Sequence, residues 1–354
     1  MRTLLHSSRA ADSRRRPGRE LRGLKHPRRA YYCLDVGTYA VTGCAGFIGS
    51  HLAEELLARD HAVVGIDVFT DYYPRDLKEA NIGVLSGDTN FELVEANLAS
   101  DALEPLFKRV DGVFHLAAQP GVRGSWGETF ALYARDNVVA TQRVFEAAVA
   151  ADIRVVWASS SSVYGNAETR PTREDARPEP ISPYGVTKLT CEHLAEAYAE
   201  SFGLEQVAVR YFTVYGPRQR PDMAFTKIAR ALADRTAFRV FGTGEQARDV
   251  TYVADAVAAT IAAMEKAPGR AVYNVGGGCE TTLNGVIALC ERLAGRTLDR
   301  RPEPAAAGDV RATSADITRA CRELGWSPRT ALEDGLGAQL AWAGLDAQYS
   351  SASA

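Results

Sequence analysis

From residue 39 onward, short apolar runs rich in β-branched residues alternate with longer stretches in which apolar residues recur every three or four positions. The first kind reads as strands buried on both faces and the second as helices with one apolar stripe. Strands are expected at 39–42, 62–66, 92–95, 112–115, 154–158 and 206–210, and a further strand at 272–275 is expected to rejoin the same sheet. Helices are expected between them, at 47–59, 102–108, 127–151 and 184–202. Alternation of this kind specifies an α/β fold with a doubly wound parallel sheet, because parallel strands need crossover connections that lay helices on the faces.

After Arg210 the regularity gives way to the loop-rich stretch Gly216-Pro217-Arg218-Gln219-Arg220-Pro221, followed by more helical sequence. The expected division is a sheet domain at 37–210 with a return segment near 250–279, and a smaller lobe built from 211–249 and 280–345. The first 36 residues carry Arg14-Arg15-Arg16 and Arg28-Arg29 with little apolar periodicity, so they read as a disordered basic extension. Residues 346–354 read as a frayed tail.

Composition narrows the partners. The 354 residues are 46% hydrophobic and 24% charged with a net charge of −3, which offers no electrostatic footprint for nucleic acid or a membrane surface. No run reaches the ~18 apolar residues of a membrane span, and no apolar stretch follows the basic N-terminal residues as a secretory signal would require. The six cysteines form no CxxC and have no histidine at metal-ligand spacing, so no metal is expected and the thiols read as reduced packing groups of a cytoplasmic protein.

Two motifs carry chemistry. In Gly43-Cys44-Ala45-Gly46-Phe47-Ile48-Gly49, glycines follow a strand and open a helix, where bare backbone approaches a pyrophosphate at a helix N-terminus. Asp67, ending the second strand, is placed to accept hydrogen bonds from ribose hydroxyls and to repel a 2′-phosphate, which favours NAD over NADP. Leu116-Ala117-Ala118-Gln119 and Ser159-Ser160-Ser161-Ser162 follow later strands at their carboxyl ends, where open α/β sheets place ligands. In the second motif, Tyr184 and Lys188 lie four apart on a helix, so an ammonium sits beside a phenol. A nearby positive charge favours the phenolate, which makes tyrosine usable as a base near neutrality.

With these residues in place, the chain from 39 to 342 resembles the extended short-chain dehydrogenase/reductase superfamily, in its nucleotide-sugar 4-epimerase and dehydratase branch. The marks are Gly43/Gly46/Gly49, His115-Leu116-Ala117-Ala118, 159–165, Tyr184/Lys188, Arg210-Tyr211-Phe212-Thr213-Val214-Tyr215-Gly216-Pro217, Arg248-Asp249-Val250-Thr251-Tyr252-Val253 and Gly308-Asp309-Val310. The resemblance implies a Rossmann sheet with a smaller C-terminal lobe that binds a UDP-sugar, and a homodimer joined through the helices at 127–151 and 184–202. Asn97-Leu98 stands where the family usually places an aspartate on adenine, and Ala306 where it places a basic residue.

The serine cluster separates the branches of the family. Related 4,6-dehydratases carry Asp-Glu where Ser161 and Ser162 stand, and related UDP-glucuronate decarboxylases carry a glutamate at Ser162. Hydroxyls and one Tyr/Lys couple can oxidise and reduce a carbon but have little means of eliminating water. The implied reaction is NAD-dependent 4-epimerisation of a UDP-sugar, with Tyr184, Lys188, Ser160 and Ser161 as catalytic residues. The stretch 211–225 is similar to UDP-glucuronic acid 4-epimerases, with Arg220 facing the sugar carboxylate and Ser161, Ser162 and Thr213 holding it. Arg218 and Arg248 are then expected on the diphosphate, Val240 and Phe241 beside uracil, and Asp309 on the uridine ribose. The alternatives are a UDP-glucose 4-epimerase, a UDP-glucuronate decarboxylase and, outside catalysis, a silent NAD-binding scaffold.

Overall fold

The computed structural model describes residues 36–305, 308 and 310–345; the basic extension, except Val36, and the tail lie outside them. Strands in chain order are β1 (Thr38–Thr42), β2 (Ala62–Asp67), β3 (Phe91–Glu95), β4 (Gly112–His115), β5 (Arg154–Ser160), β6 (Gln206–Tyr211), β7 (Thr213–Tyr215), β8 (Phe238–Phe241), β9 (Ala247–Tyr252), β10 (Arg270–Val275), β11 (Glu280–Thr282) and β12 (Arg300–Glu303). Seven of them form a parallel sheet in the order β10-β6-β5-β4-β1-β2-β3. The chain winds outward from β1 through β2 to β3, then returns and winds the other way from β4. The reversal lies between β1 and β4, where Thr42 pairs with His115, and such a switch point opens a crevice at the carboxyl ends of the strands.

Side chains on successive sheet residues enter opposite cores. Tyr39, Val41, Val156, Val207 and Val209 pack against the helices Phe47–Ala58 and Val253–Lys266. Ala40, Val155, Trp157 and Ala208 pack on the other side with Val144, Phe145, Cys191 and Ala195 from the helices Ala140–Ala151 and Pro183–Phe202. Burial of both faces is why these strands read as nearly continuous apolar runs. A three-stranded sheet, β11-β9-β7, and a two-stranded one, β12-β8, surround a third core of Ile228, Leu232, Val240, Ile287, Leu336 and Leu340.

The expected strands of the main sheet all form within one or two residues of their sequence bounds. The helices depart more. The single helix expected at 127–151 is broken into a 3-10 turn (Gly127–Thr129), a short α-helix (Phe130–Tyr133), a π-helical segment (Ala134–Val139) and the helix Ala140–Ala151. The π segment contains Asn137, which is wholly buried and bonded across to two other segments, a tertiary constraint that 3.6-residue periodicity does not report. The helix expected at 102–108 contracts to Glu104–Phe107, with Pro105 in its first turn.

Candidate active site

The glycine turn leaves β1 with Gly43 at φ +71°, and a Cβ there would lie 2.8 Å from the Ala117 amide nitrogen. A Cβ on Gly49 would lie 2.1 Å from the Gly43 carbonyl oxygen, so neither position tolerates a side chain without moving backbone. Gly46 caps the helix Phe47–Ala58 with no side-chain bond, and Gly46, Phe47, Ile48 and Gly49 line a cleft of about 410 Å³. First-turn N–H groups with no side-chain cap suit an anion. Asp67 lines the same cleft; its Oδ2 accepts from the Ala45 amide at 3.1 Å and its Oδ1 from the Phe69 amide at 2.8 Å. Asn97, Leu98, Leu116, Ala117, Ala118 and Gln119 complete this end. Asn97 Oδ1 accepts from the Ala99 amide at 2.9 Å, which fixes the side chain at the cleft edge.

Thr42 and His115 set the floor. Thr42 Oγ1 accepts from the amides of Leu116 and Ala117, both at 3.2 Å, so its proton is directed to His115 Nδ1 at 2.8 Å. That leaves His115 Nε2–H to donate to Thr141 Oγ1 at 3.0 Å. Burial pushes the imidazole pKa down to about 3, with the Lys188 charge adding to the effect. The ring is thus a neutral strut holding the segment after β4 against the glycine turn.

The opposite wall is the helix Pro183–Phe202. Ser182 Oγ accepts from the Gly185 amide at 3.1 Å and Pro183 occupies the first helical position, so the helix begins one residue before Tyr184. The Tyr184 ring stands edge-on to Tyr133 with centroids 6.3 Å apart, and Tyr133 Oη donates to the carbonyls of Pro120 (2.8 Å) and Gly121 (2.9 Å). Lys188, buried, donates from Nζ to the Ala158 carbonyl at 2.8 Å. Ser160 Oγ accepts from the Ser162 amide at 3.1 Å and donates to Ser162 Oγ at 3.1 Å, capping the turn that carries Ser161 and Ser162. The cleft brings Tyr184, Lys188, Ser160, Ser161, Ser162, Thr213 and Arg220 onto one surface.

Other expected substrate contacts lie elsewhere. Arg218 does not line the cleft: it has φ +63° and its Nη2 pairs with Glu54 Oε2 on the first helix at 2.8 Å. The backbone turn aims this side chain back across the helix that follows the glycine loop. Val240, Phe241 and Arg248 stand on β8 and β9, also outside the lining. The guanidinium of Arg123 lies 4.4 Å from the centre of the Phe241 ring, and Arg248 Nη1 donates to the Ala247 carbonyl at 2.8 Å. Asp309 is outside the described residues.

A sequence model of the NAD dependent epimerase/dehydratase family matches residues 39–276. The chain belongs to this family. It is 44% identical to the uncharacterized UDP-glucose epimerase YtcB of Bacillus subtilis over 85% of this chain and 96% of that one. It is 36% identical to the UDP-glucuronate 4-epimerase of Thermodesulfobacterium geofontis over 87% and 96%. Among solved structures, the UDP-glucuronic acid 4-epimerase of Bacillus cereus in complex with UDP-glucuronic acid and NAD superposes with a TM-score of 0.84 at 39% identity, covering 87% of this chain and 99% of that one. MoeE5 in complex with UDP-glucose and NAD gives 0.78 at 42%, covering 86% and 98%.

For a member of the epimerase/dehydratase family the cleft fits its dinucleotide: glycines crowd two positions where a Cβ would strike backbone, and a carboxylate stands at the end of β2. Several residues of this site escaped the sequence reading. Asn137 Oδ1 accepts from the Gln119 amide at 2.7 Å, while its Nδ2 donates to the Gln119 carbonyl (3.1 Å) and to Thr187 Oγ1 (3.0 Å), joining the segment after β4 to the helix that carries Tyr184 and Lys188. Lys78 lines the cleft and donates to the Thr70 carbonyl at 2.6 Å. Tyr72 and Asp222 meet across it. The usable signal was Tyr72-Tyr73 in the loop after the second strand, followed by Lys78 on the short helix Arg75–Ile82.

Proposed function

We propose that the protein carries out NAD-dependent 4-epimerisation of a UDP-sugar, and that UDP-glucuronate and UDP-galacturonate are its substrate pair. The supporting observation is one surface with Tyr184, buried Lys188 and the Ser160–Ser162 turn, on which, among the described residues, no carboxylate is without a partner. Asp67 is engaged by backbone N–H groups, Asp136 by Arg135 at 2.6 Å, and Asp222 by Arg220 at 3.0 Å.

Bound NAD, held by the glycine turn and Asp67, supplies the hydride acceptor and donor. Tyr184 Oη takes the proton of the C4 hydroxyl when that carbon is oxidised and returns it after the sugar has presented its other face. Ser161, and Ser160 once its proton turns from Ser162 Oγ, donate hydrogen bonds to the C4 oxygen as charge develops there. Lys188, fixed by the Ala158 carbonyl, lies one helical turn from Tyr184 and would hold the nicotinamide ribose of the bound dinucleotide. Ser162, Thr213 and Arg220 hold a C6 carboxylate out of line with the C4 ketone, which opposes loss of carbon dioxide from a β-keto acid.

In this reading 37–210 with the β10 return is the dinucleotide domain, and 211–249 with 280–345 is the sugar-nucleotide lobe. The UDP end falls to Val240 and Phe241 on β8, Arg248 on β9, and Asp309; the Arg311 carbonyl accepts from the Ala247 N–H on β9 at 3.2 Å. The exposed apolar side chains Leu132, Val139 and Val186 support pairing of two copies through their helices. No helix among the described residues is long and apolar enough to cross a membrane, and the described cysteines are free, which fits a reducing cytoplasm.

Incubation with UDP-glucuronate and separation of the products tests the reading: UDP-galacturonate is the expected product, and a UDP-pentose as main product would sink it. UDP-glucose is the second substrate to assay, because Arg220 is already paired within the protein.

A further inference from the structure

Three cations line the cleft among the described residues: Lys78, Lys188 and Arg220. Lys78 is bonded to Thr70 and Lys188 to the Ala158 carbonyl, which leaves Arg220 as the cation facing the sugar end. Its guanidinium is itself engaged. Nε donates to Asp222 Oδ1 at 3.0 Å and Nη2 to Asp222 Oδ2 at 3.1 Å, the two-pronged geometry that a substrate carboxylate would otherwise use. Tyr72 Oη donates to the same Oδ2 at 3.1 Å and its ring centre is 5.8 Å from the guanidinium carbon. Tyr72 comes from the loop after β2 and Asp222 from the loop after β7, so the cluster spans the two walls of the cleft.

From this geometry we infer that Asp222 is a specificity-determining residue: by neutralising Arg220 it lets the cleft accept neutral sugar nucleotides as well as acidic ones. The inference rests on the sugar-nucleotide reading above and adds to it. A part-buried arginine without a partner would penalise a neutral sugar that covers it and offers no charge in return. With Asp222 in place that penalty is absent, and a uronate gains only the part of Arg220 that Asp222 leaves or yields. Burial works against the Asp222 charge, but Arg220 overcomes it and holds the carboxyl below its ordinary pKa, so the pair is ionised at neutral pH.

The test is titration of the NAD-loaded full chain with UDP-glucuronate and with UDP-glucose by calorimetry. In Asp222→Asn, the ratio of the UDP-glucose Kd to the UDP-glucuronate Kd is expected to rise by roughly tenfold or more, the worth of one freed charge-assisted hydrogen bond. A ratio that stays within about twofold of wild type, where a net hydrogen bond has no room to register, or that falls, overturns the inference. Tyr72→Phe removes a hydroxyl and leaves both charges, so it is expected to move the two affinities together. If it shifts the ratio as far as Asp222→Asn does, loop geometry and not charge sets the selectivity. Because the readout is binding, the expected shift in a protein that epimerises neither sugar would uphold the role of Asp222 and remove the epimerase reading; binding of neither sugar would remove both.

Discussion

Arg210 donates to Glu192 through Nη2 at 2.6 Å and through Nε at 2.8 Å, and both side chains are buried. The pair fastens the helix that carries Tyr184 and Lys188 to β6. It also reaches the serine turn: Ser159 Oγ donates to Glu192 Oε1 at 2.5 Å, and Tyr164 Oη accepts from Arg210 Nη1 at 2.6 Å while donating to Asn274 Oδ1 at 2.7 Å. Glu192→Gln leaves the buried guanidinium without a countercharge and is expected to cost about 3 kcal/mol or more in urea unfolding. The double substitution Glu192→Leu with Arg210→Met is expected to recover most of that stability yet keep a depressed kcat, because Ser159 and Tyr164 lose their anchors. Full recovery of both would limit the pair to a structural role.

On the proposed reading, Tyr184→Phe removes the hydroxyl that exchanges a proton with the sugar, while Tyr133 still packs against the ring. Turnover is expected to fall by roughly 10²–10⁴, the usual worth of a positioned acid–base group, while NAD and UDP-sugar still bind. Steady-state rates beside cofactor retention after gel filtration check this, and a variant with near-wild-type rate would exclude the residue.

Gly49→Ala places a methyl group 2.1 Å from the Gly43 carbonyl oxygen. Relief requires the glycine turn to open. Overpacking of backbone predicts a loss of about 1–3 kcal/mol of stability, and the displaced turn predicts weaker NAD binding. Thermal unfolding of the variant with and without added NAD measures both; an NAD-induced rise in Tm equal to wild type would contradict the second.

Asn137→Ala removes both anchors of Gln119 and the bond to Thr187. Unpaired buried amide groups predict a loss of about 1–3 kcal/mol, together with a higher Kd for NAD because the segment after β4 is freed. A drop in stability with unchanged NAD affinity would show that Asn137 supports the helix and not the cofactor segment.

His115 is held neutral, its pKa lowered from 6.5 to about 3. A folded state that resists protonation is fully favoured above the unfolded value and loses stability as pH falls through the window from 6.5 toward 3. The expected slope from this residue is about 1.4 kcal/mol per pH unit. Imidazole resonances followed by NMR are expected to show His115 uncharged at pH 5, and urea midpoints at pH 6.5 and 4.5 report the accompanying loss.

The cofactor strands, the glycine turn, Asp67 and the Tyr184/Lys188 couple were all readable along the chain. Each depends on local spacing: strands buried on both faces are continuously apolar, a turn without Cβ atoms must be glycine, and residues four apart share a helix face. What only the tertiary structure decided depends on groups far apart in sequence. The π segment around Asn137, the turning of Arg218 onto Glu54, the Tyr72–Asp222–Arg220 cluster and the buried Glu192–Arg210 pair each join segments that no local period links. Buried polar groups take whichever partner the fold brings within bonding distance, so their roles are settled by packing and not by local sequence.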